Sequence, residues 1–194
     1  MNVSATAGAL LLTHGAGSDR THPALVAIEE AIHPLPVERI DFPYRREGRR
    51  APDRAPKLVA CIEEAAANLV GRARIRPDRL VLGGRSLGGR MCSLAVAGGL
   101  PAAGLVLISY PLHPPGRPDQ LRVDHFGSLE RPCLFVSGTR DPFGAEHELE
   151  LHTASIPGPV TQVWIEGAGH GLRGADAEVA SAVKAWLRGL GRRG

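Results

Sequence analysis

Arg79-Leu80-Val81-Leu82-Gly83-Gly84-Arg85-Ser86-Leu87-Gly88-Gly89-Arg90-Met91 changes its pattern in mid-run. A buried-strand pattern leads into Gly84-Arg85-Ser86-Leu87-Gly88, after which Met91, Leu94 and Ala95 recur at helical spacing. The order strand, tight turn, helix is that of a nucleophile elbow, which pushes one hydroxyl, here that of Ser86, out above the end of a sheet. Gly84 and Gly88 stand where a side chain would collide with a neighbouring strand or helix, and the serine between them takes a strained backbone conformation. The N–H of Leu87, at the positive end of the following helix, is placed to face an oxyanion. The five-residue pattern alone is weak in a chain with 24 glycines. An exposed serine that only helps pack helix on sheet is the plainer alternative, and the flanking strand and helix argue against it.

Working outward, short Leu-rich or β-branched runs alternate with longer amphipathic segments, a pattern that implies a parallel sheet covered on both faces. The expected strands are Gly8-Thr13, Val37-Phe42, Arg79-Gly83, Gly104-Ser109, Cys133-Ser137 and Val160-Ile165. The expected helices are Pro23-Ile32, Arg54-Val70, Leu87-Ala97, Ala145-Ser155 and Ala177-Leu190. This is a three-layer, doubly wound α/β architecture with a mostly parallel sheet of about six strands. No repeat, long linker or low-complexity tail interrupts it, and the proline-rich Pro111-Pro118 reads as an extended loop. A single domain over residues 1–194 is expected.

Composition narrows the class. The 43% hydrophobic content of these 194 residues is that of a soluble globular protein, and no apolar run is long enough to span a bilayer. The net charge of +3 comes almost wholly from Arg dispersed among Asp and Glu, which is not the concentrated basic stripe of a nucleic-acid binder. Cys61, Cys92 and Cys133 are odd in number and lack CxxC spacing, so neither disulfides nor a zinc site are expected. A cytoplasmic protein with reduced thiols follows, with no metal, no cofactor, and neither nucleic acid nor membrane as partner. The oligomeric state is left open.

A serine hydroxyl needs an imidazole base, and that base needs a carboxylate to fix its tautomer. In elbow-type sheets the chain order is Ser, acid, His. His170, in Glu166-Gly-Ala-Gly-His-Gly171, follows the last strand and precedes the last helix, whereas His147 and His152 fall inside a helix. Asp141, in Ser137-Gly-Thr-Arg-Asp-Pro142, lies just beyond the penultimate strand, although it could instead cap the helix starting near Gly144. Asp124 and Asp176 are weaker choices because neither directly follows a strand. The second oxyanion donor is expected from Thr13-His14-Gly15-Ala16-Gly17, with Ala16 as donor and Gly17 as the fallback. His14 reads as structural, bonding this loop in place.

With these residues in place, the chain resembles the α/β-hydrolase superfamily. More narrowly it is similar to a small cap-less branch related to dienelactone hydrolases, which includes a subunit of a eukaryotic chromatin-acetylation complex. The resemblance rests on Thr13-His-Gly-Ala-Gly, Asp41-Phe-Pro-Tyr with Gly48-Arg-Arg-Ala-Pro, Gly84-Arg-Ser-Leu-Gly-Gly-Arg, Ser109-Tyr-Pro-Leu-His-Pro-Pro-Gly, Ser137-Gly-Thr-Arg-Asp and Gly167-Ala-Gly-His. It implies a serine hydrolase of small esters, thioesters or related acyl compounds, working through an acyl-enzyme. Many dienelactone hydrolases carry cysteine where this chain has Ser86, so their substrate does not transfer. A non-catalytic binding module, or an acyltransferase with the same triad, are the competing expectations.

Lids in this superfamily usually follow the strand after the nucleophile helix. Between Ser109 and Arg131 only about twenty residues intervene, too few for a cap domain, so an open site for small acyl groups is expected. The aromatic content of 4% fits a modest pocket. Two loops could select substrate: Tyr44-Arg-Arg-Glu-Gly-Arg-Arg50 and Tyr110-Pro-Leu-His113. Tyr44, Arg49, Arg85, Tyr110 and His113 are therefore candidate substrate contacts, as is Gly17. Arg45, Arg49, Arg50 and Arg85 could bind a carboxylate or phosphate, but the interleaved Asp41, Glu47 and Asp53 favour internal pairing.

Overall fold

The computed structural model describes residues 7–190. Six strands, β1 (Ala9–Thr13), β2 (Val37–Ile40), β3 (Leu80–Arg85), β4 (Gly104–Ile108), β5 (Cys133–Gly138) and β6 (Val160–Ile165), form one sheet in the order β2-β1-β3-β4-β5-β6. Every neighbouring pair is parallel. The helices between them are α1 (Pro23–Ile32), α2 (Pro43–Arg46), α3 (Ala55–Ala73), α4 (Leu87–Ala97), α5 (Glu146–Thr153) and α6 (Asp176–Leu190).

The continuous apolar runs of the central strands divide between two cores because successive side chains point to opposite faces. Leu11, Leu82, Leu105, Leu107 and Phe135 pack with Leu58, Ile62 and Met91 on the α3/α4 side. Leu10, Leu12, Val81, Val106 and Val136 pack with Ile28, Val179 and Val183 on the α1/α6 side. The edge strand β2 is half-buried throughout and carries Glu38 and Arg39, as a strand with one open side tolerates.

The chain leaves β1 toward one edge of the sheet and β3 toward the other, so a crevice opens between the carboxyl ends of these two neighbours. The Ser86 turn and the loop after Thr13 both flank it. All six expected strands and all five expected helices are present; β6, α1 and α4 keep the expected bounds and the others have shifted ends. Strand β2 stops at Ile40 because Phe42 opens an unanticipated short helix, α2, with Pro43 at its first position. Strand β3 runs on to Arg85, which stays in register with Ile108 of β4. Between β4 and β5 the chain forms only a single short 3-10 turn at Phe126–Ser128, and its Leu112, Phe126 and Leu129 are buried in the core. Among the described residues there is no lid domain.

Candidate active site

Ser86 joins β3 to α4 with φ 51° and ψ −117°, a conformation that costs a non-glycine residue about 1–3 kcal/mol. The surroundings hold it there. Its N–H donates to Ile108 O at 2.8 Å, and its carbonyl accepts from Arg90 N–H at 3.1 Å, beginning the helix. A Cβ on Gly84 would come within 2.6 Å of the Thr13 carbonyl oxygen, and one on Gly88 within 2.6 Å of the His14 carbonyl oxygen. Only glycine lets α4 and β1 close on the turn this tightly.

Three side chains converge from three strand ends. His170 Nε2 lies 2.9 Å from Ser86 Oγ, and His170 Nδ1 lies 2.8 Å from Asp141 Oδ2 and 3.0 Å from Oδ1. The acceptor-only carboxylate fixes the proton on Nδ1, which leaves Nε2 to accept from the serine hydroxyl. The Asp141 side chain is 2% exposed and the His170 side chain 17%. Asp141 Oδ1 also accepts from Phe143 N–H at 2.9 Å, and the Phe143 ring stacks on the imidazole at 3.9 Å. Asp141 does not cap α5; that helix begins after Ala145, whose N–H donates to Glu148 instead. Phe143 was not anticipated, and only its place two residues after Asp141 could have signalled it.

The loop after β1 is fixed by groups below it. His14 is fully buried; Phe42 N–H donates to its Nε2 at 3.1 Å, so its proton sits on Nδ1 and is donated to Gly15 O at 2.7 Å. Burial lowers the His14 pKa and keeps the ring neutral. Because a trans peptide points its N–H opposite to its carbonyl, tying Gly15 O inward to His14 turns the Ala16 N–H away from the ring. The Tyr44 hydroxyl then donates to Ala16 O at 2.9 Å. Leu87 is the first residue of α4, where an N–H has no intrahelical partner. Gly17 is exposed, with open space where a side chain would stand.

The other candidate contacts lie in supporting positions. Tyr44 is fully buried, and its hydroxyl holds the Ala16 loop. Arg85 is aimed under the site: its Nη2 donates to His170 O at 2.9 Å, its Nη1 lies against Gly15, and burial lowers its pKa. Tyr110 is 2% exposed, packs on Phe126 and Phe135, and donates to Arg122 O, so it is a core residue rather than a substrate contact. His113, 5% exposed, donates to Pro114 O and faces Glu148 at 3.4 Å, while its N–H donates to Phe143 O. It braces the loop that carries Asp141. Arg49 is taken up by Glu47 and, through two bonds, by Asp53, and Arg45 faces Asp19 at 3.6 Å. The Arg49 pairs are those the interleaved acids suggested, whereas Asp19 as the partner of Arg45 was not among them.

The profile of the alpha/beta hydrolase domain matches residues 6–188. The chain belongs to the alpha/beta hydrolase family. Solved structures agree with this placement in fold. An alpha-beta serine hydrolase homologue from Coxiella burnetii superposes with TM-score 0.74 at 17% identity, over 93% of this chain and 85% of the other. A dienelactone hydrolase from Anabaena variabilis gives 0.74 at 21% identity, over 94% and 87%. Est1E from Butyrivibrio proteoclasticus gives 0.75 at 15% identity, over 96% and 89%. No described helix of this hydrolase-family chain is long and apolar enough to cross a membrane.

Proposed function

We propose that the protein is a serine hydrolase of small esters, thioesters or related acyl compounds. The observation that carries this reading is the unbroken relay from Ser86 Oγ through His170 to a nearly fully buried Asp141, with both hydrogen-bond steps at 2.8–2.9 Å.

In the first half-reaction Ser86 Oγ attacks the acyl carbon while His170 Nε2 takes its proton. Asp141 holds the ring and stabilises the imidazolium that forms. The oxyanion lies between the N–H groups of Ala16 and Leu87, the first turned outward by His14 and the second carrying the positive end of α4. His170 then protonates the departing alkoxide or thiolate. Water, deprotonated by the same nitrogen, attacks the acyl-serine and releases the acid. The chain between β4 and β5 is anchored to the sheet, which leaves the crevice open and favours short or surface-presented acyl groups.

Hydrolysis of p-nitrophenyl acetate by the wild type, Ser86→Ala, His170→Ala and Asp141→Asn tests this. The expected result is loss of about 10³-fold or more in kcat for the first two and a large loss for the third. Activity retained in Ser86→Ala contradicts the assignment, and a wild type inert toward short esters and thioesters favours a binding module.

A further inference from the structure

A cluster of cationic and polar side chains lies on the helix that starts at Ser86, outside the triad. Arg90 is one turn along α4, its N–H bonded to Ser86 O, and so sits about 6 Å further along the helix axis. Its guanidinium lies against the Tyr110 hydroxyl, and its Nε is buried without a hydrogen-bond partner. The segment after β4 folds back and brings Arg122 within electrostatic reach of Arg90 and of Tyr110. Tyr110 O–H donates to Arg122 O at 2.6 Å, and Arg122 N–H donates to Leu112 O at 2.9 Å. His125 joins them: Ser93 Oγ donates to Arg90 O at 2.8 Å and accepts from His125 Nε2 at 2.7 Å.

The charges here are unbalanced. Burial and the neighbouring Arg90 both hold the Arg122 pKa down, so the two cations act on each other. Burial and Arg90 press the His125 pKa to about 4, with Asp124 opposing, so the ring is neutral near pH 7. Among the described residues, no carboxylate pairs with Arg90 or Arg122 within 4.0 Å, whereas Arg39, Arg45, Arg49, Arg72 and Arg76 each have one. The terminal residues outside that range contain no Asp or Glu. Two half-buried guanidiniums that act on each other and have no ion-paired carboxylate are stabilised by a bound oxyanion, and guanidinium forks fit carboxylate and phosphate oxygens.

We propose that Arg90 and Arg122 form an anion subsite beside the nucleophile, so that preferred substrates carry a carboxylate or phosphate a few bonds from the scissile carbonyl. The proposal rests on the serine-hydrolase reading for its kinetics and moves substrate selection from the Arg45–Arg50 loop to α4 and the segment after β4.

Two esters with the same leaving group test it, neutral p-nitrophenyl butyrate and anionic mono-p-nitrophenyl glutarate. The wild type is expected to prefer the glutarate ester. Arg90→Gln and Arg122→Gln should each lower the glutarate-to-butyrate ratio of kcat/KM by about tenfold or more. Binding without turnover is read as thermal stabilisation of Ser86→Ala by glutarate or by inorganic phosphate, expected to vanish when Arg122→Gln is added; the more effective anion identifies the oxyanion class. If Ser86-dependent turnover of both esters is absent, the hydrolase reading fails, yet stabilisation that depends on Arg122 still establishes the subsite. An unchanged ratio in both variants, together with no stabilisation by either anion, overturns it. Should Arg90→Gln not fold, Arg122→Gln on the segment after β4 carries the same test.

Discussion

Arg85 Nη2 donates a 2.9 Å hydrogen bond to the carbonyl of His170, joining the residue before Ser86 to the residue whose ring faces its hydroxyl. The same guanidinium lies against Gly15 of the loop after β1 and feels the charge of Asp141. One side chain therefore ties together the three segments whose relative placement sets the reacting geometry. Arg85→Met should lower kcat about tenfold to hundredfold while KM changes little, because the base drifts while the open crevice persists. Arg85→Lys should restore part of the loss by reaching the carbonyl with a single donor. Steady-state kinetics beside a melting curve separates this from unfolding: a folded Arg85→Met with unaltered kcat removes the clamp.

Tyr44 supports the loop after β1, the proposed oxyanion side, in a comparable way. Its ring packs edge-on to His14, and its hydroxyl holds Ala16 O. Tyr44→Phe keeps the packing and deletes one hydrogen bond, so stability should fall by about 1 kcal/mol. The freed Ala16 peptide should cost about tenfold in kcat, since a donor that wanders no longer meets the developing charge. Denaturant titration and turnover of a short ester read the two effects separately, and a stability loss with kcat intact would mean that Ala16 is not a donor.

Acid should destabilise the fold through two histidines held neutral inside it. His125 has a folded pKa of about 4 against 6.5 for the free side chain, and His14 is lowered in the same direction, both chiefly by burial. Between these values the unfolded chain binds a proton that the folded chain refuses, so stability rises with pH there and is lost as pH falls from about 6.5 toward 4. The melting temperature should decline over that interval. His125→Gln should flatten the decline, and equal slopes in wild type and variant would contradict the assignment to His125.

What the sequence made legible is what local pattern encodes. The switch from strand to helix around Ser86, the Gly-rich turn before His170 and the position of Asp141 past a strand depend on neighbours in the chain. So do the sheet and its covering helices. The single-turn helix α2 was hidden because four residues carry no period, and with it the inward turn of Tyr44. Arg85 read as a ligand for substrate because its acceptor, the His170 carbonyl, lies 85 residues away in the chain. Tyr110 read as a loop residue, yet the chain folds back over it and closes it beneath Arg122. The juxtaposition of Arg90 with Arg122 has no sequence signature, since it depends on how the segment after β4 packs on α4. The pairing of Arg49 with Asp53 was readable, because these residues are four apart with acids interleaved.

Covalent labelling with an organophosphonate followed by peptide mapping tests the central assignment most directly. A serine activated by His170 and facing two oxyanion donors should attack phosphorus, and the phosphonyl oxygen should occupy the place of the carbonyl oxygen. The expected result is near-stoichiometric adduct on the peptide containing Ser86, absent in Ser86→Ala and strongly slowed in His170→Ala. Adduct on another residue, or a folded wild type that remains unlabelled, would contradict Ser86 as the nucleophile.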